Sequence, residues 1–272
     1  MVDRLVPDEL WVLFRRVVPP TEVKRPQGGG RRRACDREAL AAIIFVTTSG
    51  CTWRQLPPVF GPAWPTVYRR FAQWSRVRVR AKLHRVILDE LGALGELEWS
   101  RALSTPSACE GGRRGPLTGP NPTDRGKPGP KIHLLTDRNG LPLSPGISGA
   151  SMHDSQGLEP LVRGIPPVRS RRGPRRRRPA KLRADKGYDD DHLRRWLRKR
   201  GIAHRVARKG IESSTRLGRH RWVVERTVSW PAGCRRLHRR YEREPEHFLA
   251  FVGIPAALIC YRRLARTQCR RR

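Results

Sequence analysis

The stretch Ala184-Asp-Lys-Gly-Tyr-Asp189 closes a predicted β-strand, because alternate residues from 180 to 184 are small or apolar, as in a short buried strand. This strand delivers Asp185 at its end. A second stretch, Arg221-Trp-Val-Val-Glu-Arg226, begins a predicted helix, and its Glu225 lies 40 residues after Asp185. One carboxylate on a strand and one on a helix suit the metal-dependent cleavage of a phosphodiester.

The charge of the chain points to a polyanionic partner. Its 272 residues include 58 Lys and Arg against 24 Asp and Glu, a formal net charge of +34. A compact fold with that much self-repulsion needs an anionic partner or high salt. Nucleic acid is the leading candidate, because neutralising phosphates releases counterions. Binding to a membrane surface would need a basic amphipathic helix with a continuous apolar face, and the sequence contains no clear one.

Cysteine usage indicates a reducing compartment. The six Cys form no CxxC pair and have no zinc-ligand spacing with the eight His. Residues 1–16 include acidic side chains and no apolar run of signal-peptide length. No stretch of about 20 apolar residues predicts a transmembrane span. We therefore expect a cytoplasmic, nucleoid-associated protein that does not span a membrane.

Residues 1–95 are predicted to form a helical DNA-binding region. Asp36 and Thr66 are expected to cap two of its helices, and Arg69 and Arg70 lie on the helix that Thr66 caps. The order of helix, short helix, loop and basic helix is typical of a helix-turn-helix protein. A plain helical bundle with solvated arginines fits the pattern equally well. Helices are expected at 6–18, 40–47, 52–56, 67–74 and 82–91.

Residues 96–272 are predicted to form a mixed β-sheet flanked by helices. A hairpin is expected where a strand at 131–137 precedes Asn139-Gly140, a pair that suits a tight turn before a second strand. Strands at 180–184 and 202–207 then alternate with helices. That order of elements favours a mixed sheet covered by helices.

Other segments of this region carry weaker signals. The stretch 166–181 is rich in Pro and Arg and is predicted to be a mobile, solvated loop, with phosphate contact as the alternative. Asp154 is expected to cap a helix at 155–162. An apolar helix is expected at 248–264.

The residues alone leave the role of the two carboxylates open. Two-metal catalysis needs carboxylates that hold two Mg²⁺ ions roughly 3.5–4 Å apart. Asp185 could instead cap the element that follows it. Glu225 could form a surface ion pair with Arg221, four residues before it on the same helix face.

Six motifs in order resemble bacterial insertion-sequence transposases of the DDE type, in the insertion-sequence-five branch. The resemblance covers nearly the whole chain. The motifs are Thr52-Trp-Arg-Gln-Leu-Pro57, Thr66-Val-Tyr-Arg-Arg-Phe71, Leu117-Thr-Gly-Pro-Asn-Pro-Thr-Asp-Arg-Gly-Lys127, His153-Asp-Ser155, Ala184-Asp-Lys-Gly-Tyr-Asp189 and Gly218-Arg-His-Arg-Trp-Val-Val-Glu-Arg226.

The resemblance implies a helical DNA-binding region followed by an RNase H-like domain with an acidic triad. Asp185 would be the second carboxylate and Glu225 the third, together holding two Mg²⁺ ions. Lys186 would contact phosphate, and Arg221 would orient Glu225 or hold the DNA backbone. Arg69 and Arg70 would contribute to DNA binding. The implied partners are the element's terminal inverted repeats and target DNA, bound by a dimer.

The first carboxylate of the triad is missing. Alignment forward from Trp99 and backward from Leu117 meets at Thr105, whose neutral hydroxyl is a poor substitute for a bridging carboxylate on Mg²⁺. Pro106, which follows, is expected to disturb the strand. Glu110 and Asp154 are candidate replacements. His153 and Asp154 also suggest an acid–base pair, but a helix-capping Asp beside a packed His is the preferred interpretation.

Three prolines are further departures from the family pattern. Pro145 interrupts the expected second hairpin strand, Pro231 falls in the helix after Glu225, and Pro255 falls in the apolar helix 248–264. A proline inside a helix costs about 3 kcal/mol or more. Pro231 could instead simply end a short helix.

Two classes of function follow. The first is an insertion-sequence transposase that cleaves and joins DNA with Mg²⁺. The second is a catalytically dead remnant that only binds DNA and represses or competes with intact copies. A basic RNA-binding or ribosomal protein would explain the charge but not the ordered motifs. Thr105 is the residue that separates the first two hypotheses.

Overall fold

The N-terminal part of the chain is helical in the computed structural model, which describes residues 1–20, 33–111, 115–122, 125–207 and 233–271, with the backbone alone at Thr105. Two 3₁₀ turns, Trp53–Gln55 and Pro58–Phe60, precede the fourth helix. The helices are α1 (Val2–Leu5), α2 (Asp8–Arg15), α3 (Asp36–Ser49), α4 (Trp64–Arg76) and α5 (Val79–Leu94).

The helix ends follow local chemistry, with two differences from the sequence prediction. Gly50 ends α3 in the left-handed conformation (φ 73°), as expected for a glycine C-cap. Asp36 is the first residue of α3 rather than its cap. Helix α4 begins at Trp64, so Thr66 lies in its first turn. Pro65 fits there because backbone N–H groups in the first turn of a helix have no intrahelical acceptor, so proline loses no hydrogen bond.

The C-terminal part contains the main sheet. Among the described residues this sheet has six strands. Five of them lie in the order β3-β4-β1-β6-β7, and the sixth, β5, pairs with β4. Strand β1 is antiparallel to β4 and parallel to β6, and β6 is parallel to β7. The strands are β1 (Ala102–Ala108), β2 (Glu110–Gly111), β3 (Gly119–Pro120), β4 (Pro128–Asp137), β5 (Pro142–Gly149), β6 (Lys181–Ala184), β7 (Ala203–Val206) and β8 (Arg239–Arg240).

Helices flank this sheet as predicted. Helix α6 (Asp154–Arg163) packs on β4 and β5, and α7 (Asp191–Lys199) connects β6 to β7. Helix α8 (Pro245–Cys269) packs along α5 and on β5. An antiparallel hairpin beside parallel strands, covered by helices, is the mixed α+β arrangement expected from the sequence.

The predicted hairpin between β4 and β5 is confirmed. Gly140 adopts φ 82° in its turn. The buried Asp137 carboxylate accepts hydrogen bonds from the backbone N–H groups of Asn139 (2.9 Å), Leu141 (2.8 Å) and Glu98 (3.0 Å). This side chain therefore ties the turn to the segment that enters β1.

One buried apolar cluster extends from the N-terminal helices to the sheet. Helix α8 contributes to both parts: Phe251 stacks on Phe71 of α4, with ring centroids 4.5 Å apart. The change from helices to strands falls after α5, which ends at Leu94, close to the predicted boundary at 95/96. The division into two domains at that point stays a prediction.

Contrary to the sequence prediction, Pro145 and Pro255 do not interrupt β5 and α8. Pro255 lies buried inside the continuous α8, whose packing on two sides compensates for one missing backbone bond. Pro145 lies within β5, an edge strand among the described residues, where proline is tolerated. Pro231 lies outside the described residues.

Helix α8 is long and apolar enough to cross a membrane by length and composition, but 67% of its most apolar window is buried inside the protein, as in a core helix.

Candidate functional site

Asp185 lies directly after β6, as predicted. It caps the 3₁₀ turn Lys186–Tyr188, and its Oδ1 accepts a hydrogen bond from Lys186 N (2.6 Å). The residue is exposed. A carboxylate thus stands at the C-terminal edge of the sheet, where solvent and a ligand can reach it.

Thr105 lies level with Asp185 on the neighbouring strand. In the parallel pair of β1 and β6, Ala102 is opposite Leu182 and Leu103 is opposite Arg183, a constant difference of 80 in residue number. The same difference applied to Thr105 gives Asp185. Because side chains alternate along a strand, the two positions share the sheet face of Leu103 and Arg183.

Strand β1 continues without a break past Thr105. Pro106 is opposite His133 in an uninterrupted register with β4. The expected disturbance at Pro106 is therefore wrong, because β4 and β1 stay paired on both sides of it. The position that should carry the first carboxylate is thus held in a regular strand.

Tyr188 ties the Asp185 turn to β1. Its side chain is fully buried, and Ser104 Oγ donates a hydrogen bond to its phenol oxygen (3.2 Å). Burial raises the pKa of Tyr188 well above its usual value. Ser104 immediately precedes Thr105, so this bond joins the two strand ends that carry the candidate site. The sequence analysis did not identify either residue as part of the site.

Asp154 lies against the same turn but does not cap α6 as predicted. His153 is the N-cap, and Asp154 is the first helical residue. An added Cβ at Gly187 would lie 3.1 Å from Asp154 Oδ2. Asp154 Oδ1 forms an ion pair with Lys131 Nζ (2.7 Å), which also donates to Met152 O (3.1 Å). The lysine neutralises this carboxylate and occupies the place beside it, so Asp154 is a poor replacement for the first carboxylate.

Glu110 is not brought to Asp185. It lies in β2, five residues beyond Thr105, and pairs with Arg239 of β8 in a separate two-stranded sheet. Five strand residues span roughly 17 Å. The proposal that Glu110 replaces the missing carboxylate finds no support in this position.

Three arginines give the Asp185 face a positive potential. Burial, then the charges of Arg101 and Arg205, lower the pKa of Arg183, which lies two residues before Asp185 on β6. Arg205 is opposite Arg183 on β7. The alternation of basic residues with apolar ones in β6 was the available sequence signal for this cluster.

Arg240 organises the segment that carries the third family motif. Its guanidinium is almost fully buried and donates to the backbone oxygens of Pro116 (2.8 Å), Leu117 (3.2 Å), Glu242 (2.9 Å) and Arg243 (3.0 Å). Backbone oxygens therefore accept the hydrogen bonds of this buried guanidinium. The segment before α8 and the motif beginning at Leu117 are thereby held together.

The described residues at this edge of the sheet supply too few ligands for a metal site. Within the described part of the chain, no group of three or more His, Cys, Asp or Glu side chains is placed to hold a metal ion. Asp185 alone supplies a carboxylate beside Thr105. Glu225 and Arg221 lie outside the described residues. The described donors therefore do not fit a pair of Mg²⁺ ions by themselves.

The two predicted DNA-binding arginines of α4 have different surroundings. Arg69 is exposed, and within the described part of the chain its guanidinium makes two long contacts, with Pro65 O (3.4 Å) and Thr66 Oγ1 (3.5 Å). Arg70 is 18% exposed and pairs with Asp36 Oδ1 of α3 (3.4 Å). Burial, then the charge of Arg33, lowers its pKa. Both line a cleft of about 670 Å³ between α3 and α4, but Arg69 is the one free to reach a ligand.

Comparison with known protein families assigns both parts of the chain. Residues 100–261, more than half of the chain, match the family described as "Transposase DDE domain". The chain belongs to this family. Residues 6–84 of this DDE transposase match a second family, described as "Putative transposase of IS4/5 family". The resemblance inferred from the six motifs is thus confirmed.

Two curated relatives of this DDE transposase come from Burkholderia cepacia. It is 46% identical over 151 residues, 56% of its length and 72% of the relative's, to the "Putative transposase for insertion sequence element IS402". It is 32% identical over 123 residues, 45% of its length and 84% of the relative's, to the "Insertion element IS402 uncharacterized 16.2 kDa protein".

Among solved structures, a pre-cleavage Mos1 transpososome is a distant neighbour. The match has 11% sequence identity and a TM-score of 0.27, and it covers 89% of this DDE transposase and 82% of the Mos1 chain. A Mos1 paired-end complex with the left transposon end matches with a TM-score of 0.25 and 12% identity, over the same shares of both chains.

Proposed function

We propose that this insertion-sequence transposase acts at terminal inverted repeats, by Mg²⁺-dependent DNA strand cleavage and transfer, with a catalytic centre that lacks its first carboxylate. Asp185 and Glu225 are its two remaining metal-binding carboxylates. Thr105 occupies the first position of the triad, and strand cleavage is therefore strongly reduced or absent in the wild-type chain. The chain works in the cytoplasm, at the nucleoid, as a dimer on DNA.

The observation that carries this proposal is the register of β1 and β6, in which Thr105 lies level with Asp185. A carboxylate at that point would lie beside Asp185 and would help to hold the metal ions that such cleavage needs. A threonine hydroxyl has no charge with which to offset two Mg²⁺ ions, and Mg²⁺ prefers carboxylate and water oxygens.

Basic side chains supply the proposed contacts to DNA. Lys186, next to Asp185, and Arg221, four residues before Glu225, bind phosphate near the cleavage point. Arg69 on the exposed side of α4 binds the element end. Arg70 supports α4 through Asp36 and contributes less to DNA binding, because its charge is already paired.

A second candidate function follows from the same threonine. A chain that keeps its DNA-binding surface but cannot cut would occupy element ends and compete with intact transposase. The neutralised Asp154 and the distant Glu110 favour this alternative, because neither is positioned to restore the missing carboxylate.

Strand cleavage of a duplex carrying the element end tests the proposal. We expect little cleavage by the wild type, cleavage gained by Thr105→Asp in Mg²⁺, and loss of that gain in Thr105→Asp/Glu225→Gln. Ser107→Asp is the matched control, since it adds a carboxylate to β1 on the same face but one pleat beyond Asp185. Efficient wild-type cleavage that depends on Asp185 would overturn the missing-carboxylate proposal. Absence of cleavage in every variant, with element-end binding retained, would favour the competing DNA-binding function.

A further inference from the structure

The segment 166–181, predicted to be a mobile, solvated loop, folds back on itself through one isolated β-bridge, and we call it the arginine hairpin. Val168 and Arg176 exchange two backbone hydrogen bonds (2.9 and 2.8 Å). Ser170 Oγ closes the tip, 2.8 Å from Arg172 O, 3.0 Å from Gly173 O and 2.9 Å from Pro174 O. These bonds fold the segment back on itself, while most of its residues are exposed, as expected for a solvated loop; its mobility stays a prediction.

The arginine hairpin is docked on α5. Asp89 accepts hydrogen bonds from Arg169 N (2.8 Å) and from Arg175 Nη1 (2.8 and 3.0 Å to its two oxygens). Arg175 Nη1 also donates to Pro167 O (2.7 Å). At Gly92 the two backbones approach so closely that an added Cβ would lie 2.0 Å from Arg169 O. The base of the hairpin is therefore fixed before any ligand binds.

The charge of the arginine hairpin is only partly compensated. The segment has seven arginines and no acidic residue. Arg175 is paired with Asp89, while Arg177 and Arg178 donate to the backbone oxygens of Ile165 (3.4 Å) and Arg200 (2.9 Å). Within the described part of the chain, the exposed side chains of Arg169, Arg171 and Arg172 have no hydrogen bond or ion pair.

These three exposed side chains put three positive charges on one docked segment. A polyanion would neutralise these charges, and a docked hairpin loses little conformational entropy when it binds. Planar guanidinium groups suit phosphate oxygens, and contacts of this kind carry no sequence information.

We propose that the arginine hairpin binds the phosphate backbone of duplex DNA independently of sequence. This inference rests on the proposed function, which brings DNA to the chain. The hairpin enters β6 at Lys181, at the opposite end of the strand from Asp185, roughly 13 Å away. The contact is therefore to DNA that flanks the cleavage point rather than to the phosphate that is cut.

The salt dependence of binding to an unrelated duplex tests this proposal. In Arg171→Gln/Arg172→Gln, we expect the slope of log K against log salt to become shallower by about 1.8, since each lost phosphate contact removes about 0.9. Arg4→Gln/Arg15→Gln is the matched control: it removes the same charge from exposed positions on α1 and α2, and its slope should match the wild type.

A second variant separates the placement of the arginines from their charge. Gly92→Ala keeps all seven arginines of the hairpin but displaces the hairpin from α5, because the new Cβ would lie 2.0 Å from Arg169 O. We expect it to weaken binding to the same duplex, and hydrogen exchange in 168–176 should increase.

The outcomes are distinct. Equal slopes for the wild type, the hairpin variant and the control would overturn the hairpin proposal while leaving the proposed function intact. A wild type that binds no duplex DNA would overturn the proposed function itself. If Arg171→Gln/Arg172→Gln loses binding to phosphatidylglycerol vesicles but binds DNA like the wild type, the hairpin contacts a membrane surface, and the proposal is overturned.

Discussion

The pairs Ala102–Leu182 and Leu103–Arg183, continued by two residues, bring position 105 of β1 level with Asp185. The hydrogen bond from Ser104 to Tyr188 lies just behind this pair, on the neighbouring positions of the same two segments. It fixes the Asp185 turn to β1 through a buried phenol. The hydrogen bond therefore holds the turn that carries Asp185 against β1.

A double-mutant cycle tests this positioning bond. Ser104→Ala and Tyr188→Phe should each lower the free energy of unfolding by about 1 kcal/mol, because each leaves one buried polar group without its partner. The double variant should cost less than the sum, with a coupling of about 0.5–1.5 kcal/mol. Strictly additive losses in denaturant unfolding would mean that the two groups do not interact.

The segment before α8 joins the helical region to the sheet. Arg236 pairs with Glu242 (2.7 Å), with side chains 5% and 6% exposed, and donates to Cys51 O (3.1 Å) at the end of α3. An added Cβ at Gly50 would lie 2.7 Å from Arg235 Cβ, so the close approach requires glycine. A buried ion pair of this kind is costly to break on one side.

Removing one partner of this pair should destabilise the protein strongly. Glu242→Gln leaves Arg236 buried without a counter-charge, and we expect a loss of about 3–5 kcal/mol in the free energy of unfolding. Glu159→Gln, which removes an exposed pair with Arg163 on α6, is the matched control and should cost less than about 1 kcal/mol. Equal losses in thermal unfolding would contradict the structural role of Glu242.

Elements with local signals were predictable from the sequence. Alternation before Asp185 predicted β6, and Asn139-Gly140 predicted the turn between β4 and β5. The docking of the arginine hairpin was missed because it depends on Asp89 and Gly92, which lie about 80 residues earlier in the chain and pack against it only in the fold.

The site itself was predictable only in part, for the same reason. Asp185 follows from the strand before it, and Thr105 from its family alignment. The Lys131–Asp154 pair was missed because a β4 residue and an α6 residue meet only through packing. Likewise, no local pattern distinguishes Arg69 from the paired Arg70.

The whole molecule should lose stability in mild acid. Burial lowers the pKa of His84 and of His133 to about 4 each, although a backbone bond to Pro142 opposes this at His84. Between pH 6.5 and 4 the unfolded chain binds two protons that these folded side chains do not, so stability falls as pH falls. Burial raises the pKa of Asp137 to about 6, which opposes the trend between pH 6 and 3.8 with one proton.

The effect of the two histidines exceeds the opposing effect of Asp137, so the free energy of unfolding falls as the pH falls from 6.5 to 4. His133→Gln should flatten the fall of the melting temperature between pH 6.5 and 4, because it removes one of the two histidines. The exposed His192→Gln is the control and should keep the wild-type profile. A melting temperature that rises steadily from pH 6.5 to 4 in the wild type would contradict the assignment.

At the same scale, the proposed function depends on one neutral position, Thr105, at the sheet edge that carries Asp185. The most direct test of that central claim is the number of Mn²⁺ ions bound on element-end DNA, counted by electron paramagnetic resonance. We predict fewer than two tightly bound ions in the wild type and two in Thr105→Asp. Two tightly bound ions in the wild type, unchanged by Thr105→Asp, would show that Thr105 does not leave the centre incomplete.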